Sequence, residues 1–551
     1  MWSRDVLRAI GLVVAVATVA LAASSADPYH QEVRSSQPST GKQAQPSDAE
    51  KTIQYWMNQA QDALAARIRK GNAGSGGKAK NVVMFLGDGM SVPTLTAART
   101  LLGQRRNQPG EEAELSFEEF PTSGLAKTYC VNAQIADSAC TSTAYLTGVK
   151  ANSGTIGVSA AVPRWDCEAS VPDDRKTESI ASWALADGRD AGIVTTTRVT
   201  HASPAGAYAH VANRHWENDA EVLANPADPN MCPDIAYQLV HSHPGKDFKV
   251  ILGGGRREFI TRTTVDEEGN TGRRTDGRNL IEEWKADKAE RQASYQYVWN
   301  RDQLLAANAS LPDYLLGLFE SNHMQYNMEA NPATEPTLAE LTEVAIRMLS
   351  RNENGFFLFV EGGRIDHGHH DNYVELALDE TIEMSEAVAR ATELLSEEDS
   401  LIVVTADHAH VMAFNGYSPR GTDILGTSND RDLHNVPYQT LSYTNGPGYR
   451  LQINEQRTDI SQEANYRGIT WRAHVDVPLE SETHGGDDVA VFAWGPYHAL
   501  FGGLYEQNHI PHRMAYAACI GPGLHACNSA AIARPLMLVL APLAYVLYSM
   551  L

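Results

Sequence analysis

Positively charged residues are scarce in this chain. Its 551 residues include 45 Lys and Arg against 68 Asp and Glu, which gives a formal net charge of -23. So acidic a surface repels polyanions unless a local site gathers positive charge. We therefore expect no nucleic-acid partner, and an anionic substrate would need metal ions or a few arginines around it.

Cysteine is also rare, with six in the whole chain. An even number in an exported chain can be fully paired, but spacing alone leaves many connectivities open. Cys519 and Cys527 are close enough in sequence to close a small terminal loop. The sequon that begins at Asn308 predicts glycosylation and agrees with export.

Long apolar segments are confined to the two ends of the chain. Residues 1–23 have a basic start, an apolar middle and small residues at the end, which predicts a cleaved secretory signal, with an amino-terminal membrane anchor as the alternative. The final apolar run, Pro535 to Leu551, is shorter than the roughly 20 residues of a spanning helix. Small residues precede it, so we predict a glycosylphosphatidylinositol (GPI) signal at 529–551 with Asn528 as the attachment residue. The alternative is a transmembrane helix.

The segment before the main fold divides into two parts. Residues 24–48 are rich in Ser, Gln and Pro and predict a flexible lead. Residues 49–72 predict an amphipathic helix capped by Ser47, with Trp56, Ala60 and Leu64 on its apolar face. This helix could pack on its own domain or on a second subunit.

Short apolar runs, each followed by polar residues, predict the strands of one sheet. Predicted helices at 177–187 and 338–349 separate several of them, so the fold class is α/β, with a large mostly parallel sheet and helices on both faces. We place this catalytic domain at residues 80–527 and predict insertions at 256–278 and 416–479, the second a crown-like capping subdomain. The runs are Val82–Leu86, Ala191–Thr196, Phe248–Leu252, Phe356–Val360, Leu401–Thr405 and Val489–Ala493.

Acids and imidazoles lie where these predicted strands end. Because the carboxyl ends of parallel strands meet at one edge of a sheet, the side chains should converge on one crevice. Asp366 and His370 are four residues apart, so one helical turn would aim both at the same cation. Together the group exceeds what one tetrahedral zinc can use, which predicts more than one metal. The group is Asp88, His201, Ser203, Glu361, Asp366, His370, Asp407, His408 and His484.

Ser138 lies at the predicted start of another helix. Exposed backbone amides and the helix dipole favour an anion there. Capping is the ordinary role of such a serine. A metal beside the hydroxyl would instead lower its pKa and make it a nucleophile.

Four separated motifs resemble the signatures of alkaline phosphatase. The resemblance runs from about residue 50 to Cys527, and both terminal signals resemble those of lipid-anchored animal members of the family. It implies hydrolysis of phosphate monoesters through a phosphoserine, at the outer face of the cell membrane, by a homodimer. The motifs are Asp137-Ser138-Ala139, Glu361 to His370, Thr405 to His408, and Glu482 to Gly486.

The resemblance also implies a role for each residue of the site. Two zinc ions and one magnesium are implied, with Ser138 as nucleophile and Arg214 as the phosphate-binding residue. A planar guanidinium can hold two phosphate oxygens at once, and Asp137 would steady it. One zinc takes Asp366, His370 and His484; the other takes Asp88, Asp407 and His408; magnesium takes Asp88, Ser203 and Glu361; and His201, His367 and His410 orient ligands or waters.

Further features follow from the same resemblance. Phe319, Glu320 and Glu335, with Glu267 or Glu268, correspond to a calcium site of animal members, although exposed acids in an acidic protein are an equally good explanation. Disulfides Cys167–Cys232 and Cys519–Cys527 are implied. Cys130 and Cys140 depart from the family pattern and are either paired or two buried thiols. The early helix and Tyr417 occupy places that in the family reach the second subunit.

Two competing functions remain at this point. A phosphodiesterase or sulfatase on the same sheet is one, although Ser138, Ser203 and Glu361 favour a monoesterase. The other is a catalytically idle surface protein that keeps the fold for binding. Every expected ligand position is filled, which disfavours the idle protein.

Overall fold

A ten-stranded sheet forms the centre of the chain. The computed structural model describes residues 47–69, 77–452 and 456–526. Several sequence-based predictions concern residues outside these ranges. They are the signal at 1–23, the lead before residue 47, the attachment residue Asn528, the signal at 529–551 and the pairing of Cys527. Among the described residues, no helix is both long and apolar enough to cross a membrane.

Strand order in the sheet is β17-β2-β16-β8-β1-β7-β3-β4-β6-β5. Among these described strands, β16 alone runs antiparallel to its neighbours. The strands are β1 Asn81–Gly87, β2 Thr122–Lys127, β3 Asp190–Arg198, β4 Val250–Gly254, β5 Tyr295–Val298, β6 Tyr314–Leu318, β7 Phe356–Gly362, β8 Ser400–Ala406, β16 Val489–Trp494 and β17 Gly503–Glu506. Strands β1, β4, β6, β7 and β8 are buried along their whole length. Complete burial requires cover on both faces, which confirms the predicted layered α/β fold.

Helices supply that cover. The predicted helix at 338–349 is observed as Leu338–Leu349, which begins with Thr337 and Glu340 in a capping box. The helices are Ile53–Arg69, Val92–Arg105, Ser138–Thr147, Cys167–Ser170, Ile180–Ala186, Ala202–Ala205, Asp219–Leu223, Ile235–His241, Leu280–Glu290, Arg301–Ser310, Leu338–Leu349, Arg364–His370, Val374–Leu394 and Ile510–Ala518.

The predicted capping insertion carries its own small sheets. One has the order β10-β13-β14 and another pairs β11 with β12. These strands are β10 Met412–Phe414, β11 Thr427–Arg431, β12 Pro437–Gln439, β13 Leu441–Gly446 and β14 Val475–Pro478. Tyr417 is 94% exposed beside them. The extra sheets fit an inserted subdomain on the main α/β unit.

The early helix Ile53–Arg69 packs on its own chain. Trp56, Ala60 and Leu64 are buried, as its apolar spacing predicts. Gln61 Nε2 lies 2.9 Å from His512 Nδ1, which ties the helix to Ile510–Ala518. Any role in contacting a second subunit stays a prediction.

Candidate active site

The pairing of β1 with β7 and β8 brings the carboxyl ends of these three strands together. Gly87 of β1 lies beside Gly362 of β7 and Ala406 of β8. The residues next to these positions in the chain, Asp88, Glu361 and Asp407, are completely buried. The predicted convergence of acids at one sheet edge is therefore present in the structure.

The short helix Arg364–His370 follows β7 and adds two more groups. Asp366 and His370 lie one turn apart, and His370 Nε2 is 3.3 Å from Asp366 Oδ1. The strands β9 (Ala409–His410) and β15 (His484–Gly485) pair antiparallel and bring in His484. His484 Nε2 lies 3.1 Å from His370 Nε2.

Backbone carbonyls fix the ring orientation of both histidines. His370 Nδ1 lies 2.6 Å from the Glu482 carbonyl oxygen, and His484 Nδ1 lies 2.7 Å from the Ala136 carbonyl oxygen. A carbonyl oxygen can only accept, so each Nδ1 carries a proton, and in the neutral ring the lone pair is then on Nε2. Two such lone pairs facing each other beside Asp366 are the arrangement that a shared cation stabilises.

His410 is held differently. Its Nε2 is 2.8 Å from Asp366 Oδ1 and its Nδ1 is 2.6 Å from Glu482 Oε2. Burial disfavours the charged ring, but Glu482 and Asp366 raise the pKa of His410 to about 10. Because both ring nitrogens donate to carboxylates, His410 orients Asp366 and has no lone pair for a metal.

A second group surrounds His408. Its Nε2 lies 3.1 Å from Asp407 Oδ2 and 3.5 Å from Asp88 Oδ1. Burial, followed by the charges of Asp407, Asp366 and Glu361, raises the pKa of Asp88 well above its usual range. Burial likewise raises the pKa of Asp407 to about 6. So many acids in so small a volume call for a compensating cation.

The third group combines oxygen atoms of Asp88, Ser203 and Glu361 with the His201 ring, which has a nitrogen within 4.8 Å of carboxylate oxygens of Asp88 and Glu361. Ser203 Oγ lies 3.3 Å from Asp88 Oδ2. Glu361 Oε2 accepts from the hydroxyls of Thr195 and Thr197. Glu361 Oε1 is buried and accepts no hydrogen bond within the described residues.

Ser138 begins the helix Ser138–Thr147 at the edge of this cluster. Its Oγ lies 3.2 Å from His408 Nε2. Asp137 caps the helix by accepting from the Cys140 N–H, and its Oδ2 accepts from Arg214 Nη1 at 3.1 Å. Although burial opposes ionisation, Arg214 and Arg164 hold the pKa of Asp137 below its usual range. Nucleophile candidate, guanidinium and supporting carboxylate thus lie together.

Three histidine rings pack beside the Arg214 side of the site. His201 Nε2 lies 3.3 Å from Arg214 Nη2, and the His201 and His367 ring centroids are 5.6 Å apart. Sequence reasoning singled out these two but missed His323, whose ring lies 4.3 Å from that of His367. His323 also contacts Arg198, which forms a buried ion pair with Glu217.

Comparison with known proteins places this geometry in one family. Residues 79–520 match the family model for alkaline phosphatase. The chain belongs to the alkaline phosphatase family. It is an enzyme of that family, a phosphoric monoester hydrolase with a metal-binding site.

Curated alkaline phosphatases match nearly the whole chain. The membrane-bound alkaline phosphatase of Bombyx mori is 66% identical over 487 residues, which cover 88% of each chain. The tissue-nonspecific isozyme of Felis catus is 48% identical over 507 residues, which cover 90% of this chain and 95% of the relative.

Solved structures of alkaline phosphatases share the fold. The Thermus thermophilus enzyme aligns with a TM-score of 0.57 at 22% identity, covering 81% of this chain and 92% of that one. A variant of the enzyme from the Antarctic bacterium TAB5, with Mg bound in its M3 site, aligns with a TM-score of 0.57 at 19% identity, covering 81% and 100%. At these identities the likeness concerns the fold alone.

Side chains of this alkaline phosphatase fit the implied cations. Among the described residues, groups of potential ligand atoms within 4.8 Å of one another include Asp366 with His408, His410 and His484, and Asp88 with Asp407 and His408. His370 is grouped with His410 and Glu482, and its Nε2 lies 3.1 Å from His484 Nε2. Nitrogen and oxygen donors suit zinc. Asp88, Ser203 and Glu361 supply oxygen only, which suits magnesium. The unsatisfied Glu361 oxygen marks where such a cation would be held.

The residues predicted to bind calcium are less closely grouped than those of the candidate zinc and magnesium sites. Burial raises the pKa of Glu335 to about 7, that of Glu268 to about 6 and that of Glu320. Arg256 Nη2 already donates to Glu268 Oε2 at 2.9 Å. In the described residues, none of the compact groups of potential metal ligands includes Glu320 or Glu335, although Phe319 is buried beside them. A calcium ion here stays a prediction.

Two disulfides lie within the described residues. Cys167 pairs with Cys232, as the resemblance implies. Cys130 pairs with Cys140, which settles an alternative that the sequence left open. Cys519 is also disulfide-bonded, and its predicted partner Cys527 lies outside the described residues. Asn308 is half-buried near the end of helix Arg301–Ser310, and its glycosylation stays a prediction.

Sequence reasoning missed several residues that hold the ligands. Glu482 links His370 and His410, and its position two residues before His484 is the signal that could have identified it. Thr195 and Thr197 come from β3, which lies beside β7 in the sheet. Their contact with Glu361 depends on strand order, which the sequence does not state.

Proposed function

We propose that this alkaline phosphatase hydrolyses phosphate monoesters through a phosphoserine on Ser138. The observation that carries the proposal is the juxtaposition of Ser138 with two groups. Its hydroxyl lies at a helix start, 3.2 Å from His408 Nε2, and Arg214 is bound to the adjacent Asp137. A nucleophile, a metal-ligand cluster and a phosphate-binding fork are therefore combined in one buried place.

We assign two zinc ions and one magnesium to the three ligand groups. Asp366, His370 and His484 would hold one zinc, and Asp88, Asp407 and His408 the other. Asp88, Ser203 and Glu361 would hold magnesium. Bound there, the cations would supply positive charge that favours an ionised serine hydroxyl and offsets the charge of the phosphoryl oxygens.

The protein's own groups then account for the rest of the chemistry. Arg214 can donate two parallel hydrogen bonds to non-bridging phosphate oxygens. Asp137 keeps the guanidinium in place through a buried ion pair, so little reorganisation is needed when phosphate arrives. Ser138 Oγ gives up its proton and attacks phosphorus as the bond to the alcohol oxygen breaks, and the departing oxygen takes up a proton from solvent. Water then attacks the phosphoserine, inorganic phosphate leaves and a proton returns to Ser138 Oγ.

Substrate range follows from what this site holds. Its identified contacts are directed at the phosphoryl group, so we expect broad action on monoesters. A monoester offers three non-bridging oxygens, two for Arg214 and one for the cations, whereas a diester offers two and must give up one of these contacts. We therefore expect diesters to be poor substrates. That preference distinguishes a phosphate monoesterase from a phosphodiesterase.

Chelation and metal restoration test this proposal. Zinc and magnesium contents should be measured beside hydrolysis of p-nitrophenyl phosphate and bis-p-nitrophenyl phosphate, before chelation and after each metal is returned separately. We expect monoester turnover to fall at least about a hundredfold on chelation and to recover fully only with both metals. Retention of full activity without metal, or preference for the diester, would overturn it.

Glu361→Gln separates the two kinds of metal site in the same experiment. The amide keeps the shape of the side chain but removes its charge from the proposed magnesium ligands. We expect the variant to lose magnesium in dialysis while its zinc content stays close to that of the parent.

Membrane attachment through a GPI anchor and assembly as a homodimer complete the proposal. The Bombyx mori relative is described as membrane-bound, and the terminal signals predict a lipid anchor at the outer face of the cell. Tyr417 is 94% exposed, as a residue that reaches a second subunit would be in a single chain. Sedimentation of the released protein at twice the chain mass would support the dimer, and a monomer would contradict it.

A further inference from the structure

The disulfide between Cys130 and Cys140 encloses the proposed nucleophile. These two cysteines are ten residues apart in sequence, with Cα atoms 5.8 Å apart. The link joins the loop after β2 to the first turn of helix Ser138–Thr147. It therefore covalently closes the segment that delivers Ser138.

Three consecutive residues inside this loop each contact a different part of the site. The Ala136 carbonyl accepts from His484 Nδ1 at 2.7 Å. Asp137 Oδ2 accepts from Arg214 Nη1 at 3.1 Å, and Ser138 Oγ lies 3.2 Å from His408 Nε2. A shift of this segment would displace a ligand orienter, the partner of the phosphate-binding arginine and the nucleophile together.

Little apolar packing holds the segment otherwise. Cys130, Ala136, Cys140 and Ala151 form a small buried cluster of their own, separate from the main core. Alanine side chains bury little apolar surface. Residues 131–135 are only partly covered, and Ile135 is 48% exposed. Hydrogen bonds from the Val131 N–H to the Ala151 carbonyl and from the Gly154 N–H to Asp137 Oδ1 also hold the segment. The disulfide is the covalent restraint on the amino-terminal side of Ser138.

A purely stabilising role fits this bond poorly. Chain-entropy stabilisation grows with the length of the closed loop. Cys167–Cys232 closes 65 residues, whereas Cys130–Cys140 closes ten. The shorter link should contribute less to global stability, yet it is the one that borders the site.

We propose that the Cys130–Cys140 disulfide is a positioning element of the active site. It fixes Ala136, Asp137 and Ser138 so that Arg214 is set for phosphate and His484 for its cation. This inference rests on the proposed roles of Ser138 and Arg214. Removing the link should weaken phosphate binding and zinc retention. Its effect on thermal stability should be smaller than the effect of removing Cys167–Cys232.

The test compares two matched variants of the metal-loaded enzyme. Cys130→Ala/Cys140→Ala removes the link that encloses Ser138, and Cys167→Ala/Cys232→Ala removes the link whose loop does not contain Ser138. For each we would measure the dissociation constant of inorganic phosphate by calorimetry, zinc content after dialysis against a weak chelator, kcat and KM for p-nitrophenyl phosphate, and the thermal midpoint.

We expect the first variant to bind inorganic phosphate about tenfold to a hundredfold more weakly, with a raised KM and faster zinc loss. The Cys167→Ala/Cys232→Ala variant should weaken phosphate binding by a clearly smaller factor than the first variant does, although it should lose more thermal stability. Equal effects of the two variants on phosphate binding, or none, would overturn the inference.

Two further outcomes, failure of the variant to fold and inactivity of the parent enzyme, also have a defined interpretation. If the alanine pair does not fold, Cys130→Ser/Cys140→Ser is the second variant, and failure of both to fold would show a folding requirement and contradict a positioning role. If the unaltered enzyme neither hydrolyses monoesters nor binds phosphate, the proposed function itself fails. If the parent enzyme is active and the two disulfide variants bind phosphate equally well, the positioning role is refuted and the proposed function is not.

Discussion

Two sets of buried carboxyl groups in this protein differ in what surrounds them. Asp88, Glu361, Asp366 and Asp407 lie at the strand ends among histidines and fit cations. Asp379, Glu380 and Glu383 lie on helix Val374–Leu394 away from those histidines. Asp379 Oδ1 pairs with Arg105 Nη1 at 2.5 Å. Glu380 Oε1 accepts only the Asn327 backbone N–H among the hydrogen bonds of the described residues, at 2.6 Å.

Glu380 should make the stability of the protein depend on pH. Burial raises its pKa to about 8, against an ordinary value near 4.5. A raised pKa means that folding favours the protonated form, so the contribution to stability is complete below about pH 4.5 and is lost as pH rises through about 8. Ionised Glu380 therefore destabilises the fold at alkaline pH.

Glu380→Gln should remove that alkaline loss. The amide keeps a carbonyl oxygen for the Asn327 N–H and cannot ionise. We expect the thermal midpoint of the variant to exceed that of the parent by a few degrees at pH 9, with a much smaller difference at pH 5, at fixed metal concentrations. Glu290→Gln, an exposed position at the end of helix Leu280–Glu290, is the control and should show no such pH dependence. A difference that is equal at both pH values would contradict the assignment.

At the scale of elements, continuous apolar runs were sufficient to predict the buried strands. The segments Val82–Leu86 and Phe356–Val360 became β1 and β7 because parallel strands covered on both faces contain few polar residues. Strand β2 was missed, since Thr122–Lys127 alternates exposed and half-buried positions with Thr, Ser and Gly. The antiparallel direction of β16 also could not be predicted, because an apolar pattern carries no direction.

The sequence predicted which residues lie in the candidate site but not how their side chains contact one another. The motif residues include the acids and histidines that the structure brings together, since metal chemistry restricts the side chains that can serve as ligands, and their roles as ligands stay a prediction. Which oxygen of Asp137 faces Arg214, and that His410 lies between Asp366 and Glu482, follow only from the packed structure. The Cys130–Cys140 pair remained open because proximity in sequence does not fix the separation of sulfur atoms.

At the scale of the whole molecule, substrate and protein carry charge of the same sign. The chain has a formal net charge of -23, and the site adds several buried acids to it. A phosphate monoester can bind only if positive charge in the site outweighs both. The fold meets this requirement by placing ligands for cations and the Arg214 guanidinium at one sheet edge.

Membrane attachment is tested on the intact molecule. If a GPI lipid holds the protein, a phosphatidylinositol-specific phospholipase should release active enzyme from the membrane fraction into the supernatant. Alkaline carbonate washing is the control for loose adsorption and should release none. Protein that stays with the membrane after lipase treatment would indicate a transmembrane helix instead.

The most direct test of the central claim is the location of the phosphoryl group during turnover. Metal-loaded enzyme mixed with a phosphate monoester would be quenched in acid, reduced, digested with trypsin and analysed by mass spectrometry. The account predicts one added phosphoryl group on the peptide of residues 128–150, located at Ser138 by fragmentation and absent in Ser138→Ala. A phosphoryl group on any other residue, or unchanged turnover by Ser138→Ala, would contradict it.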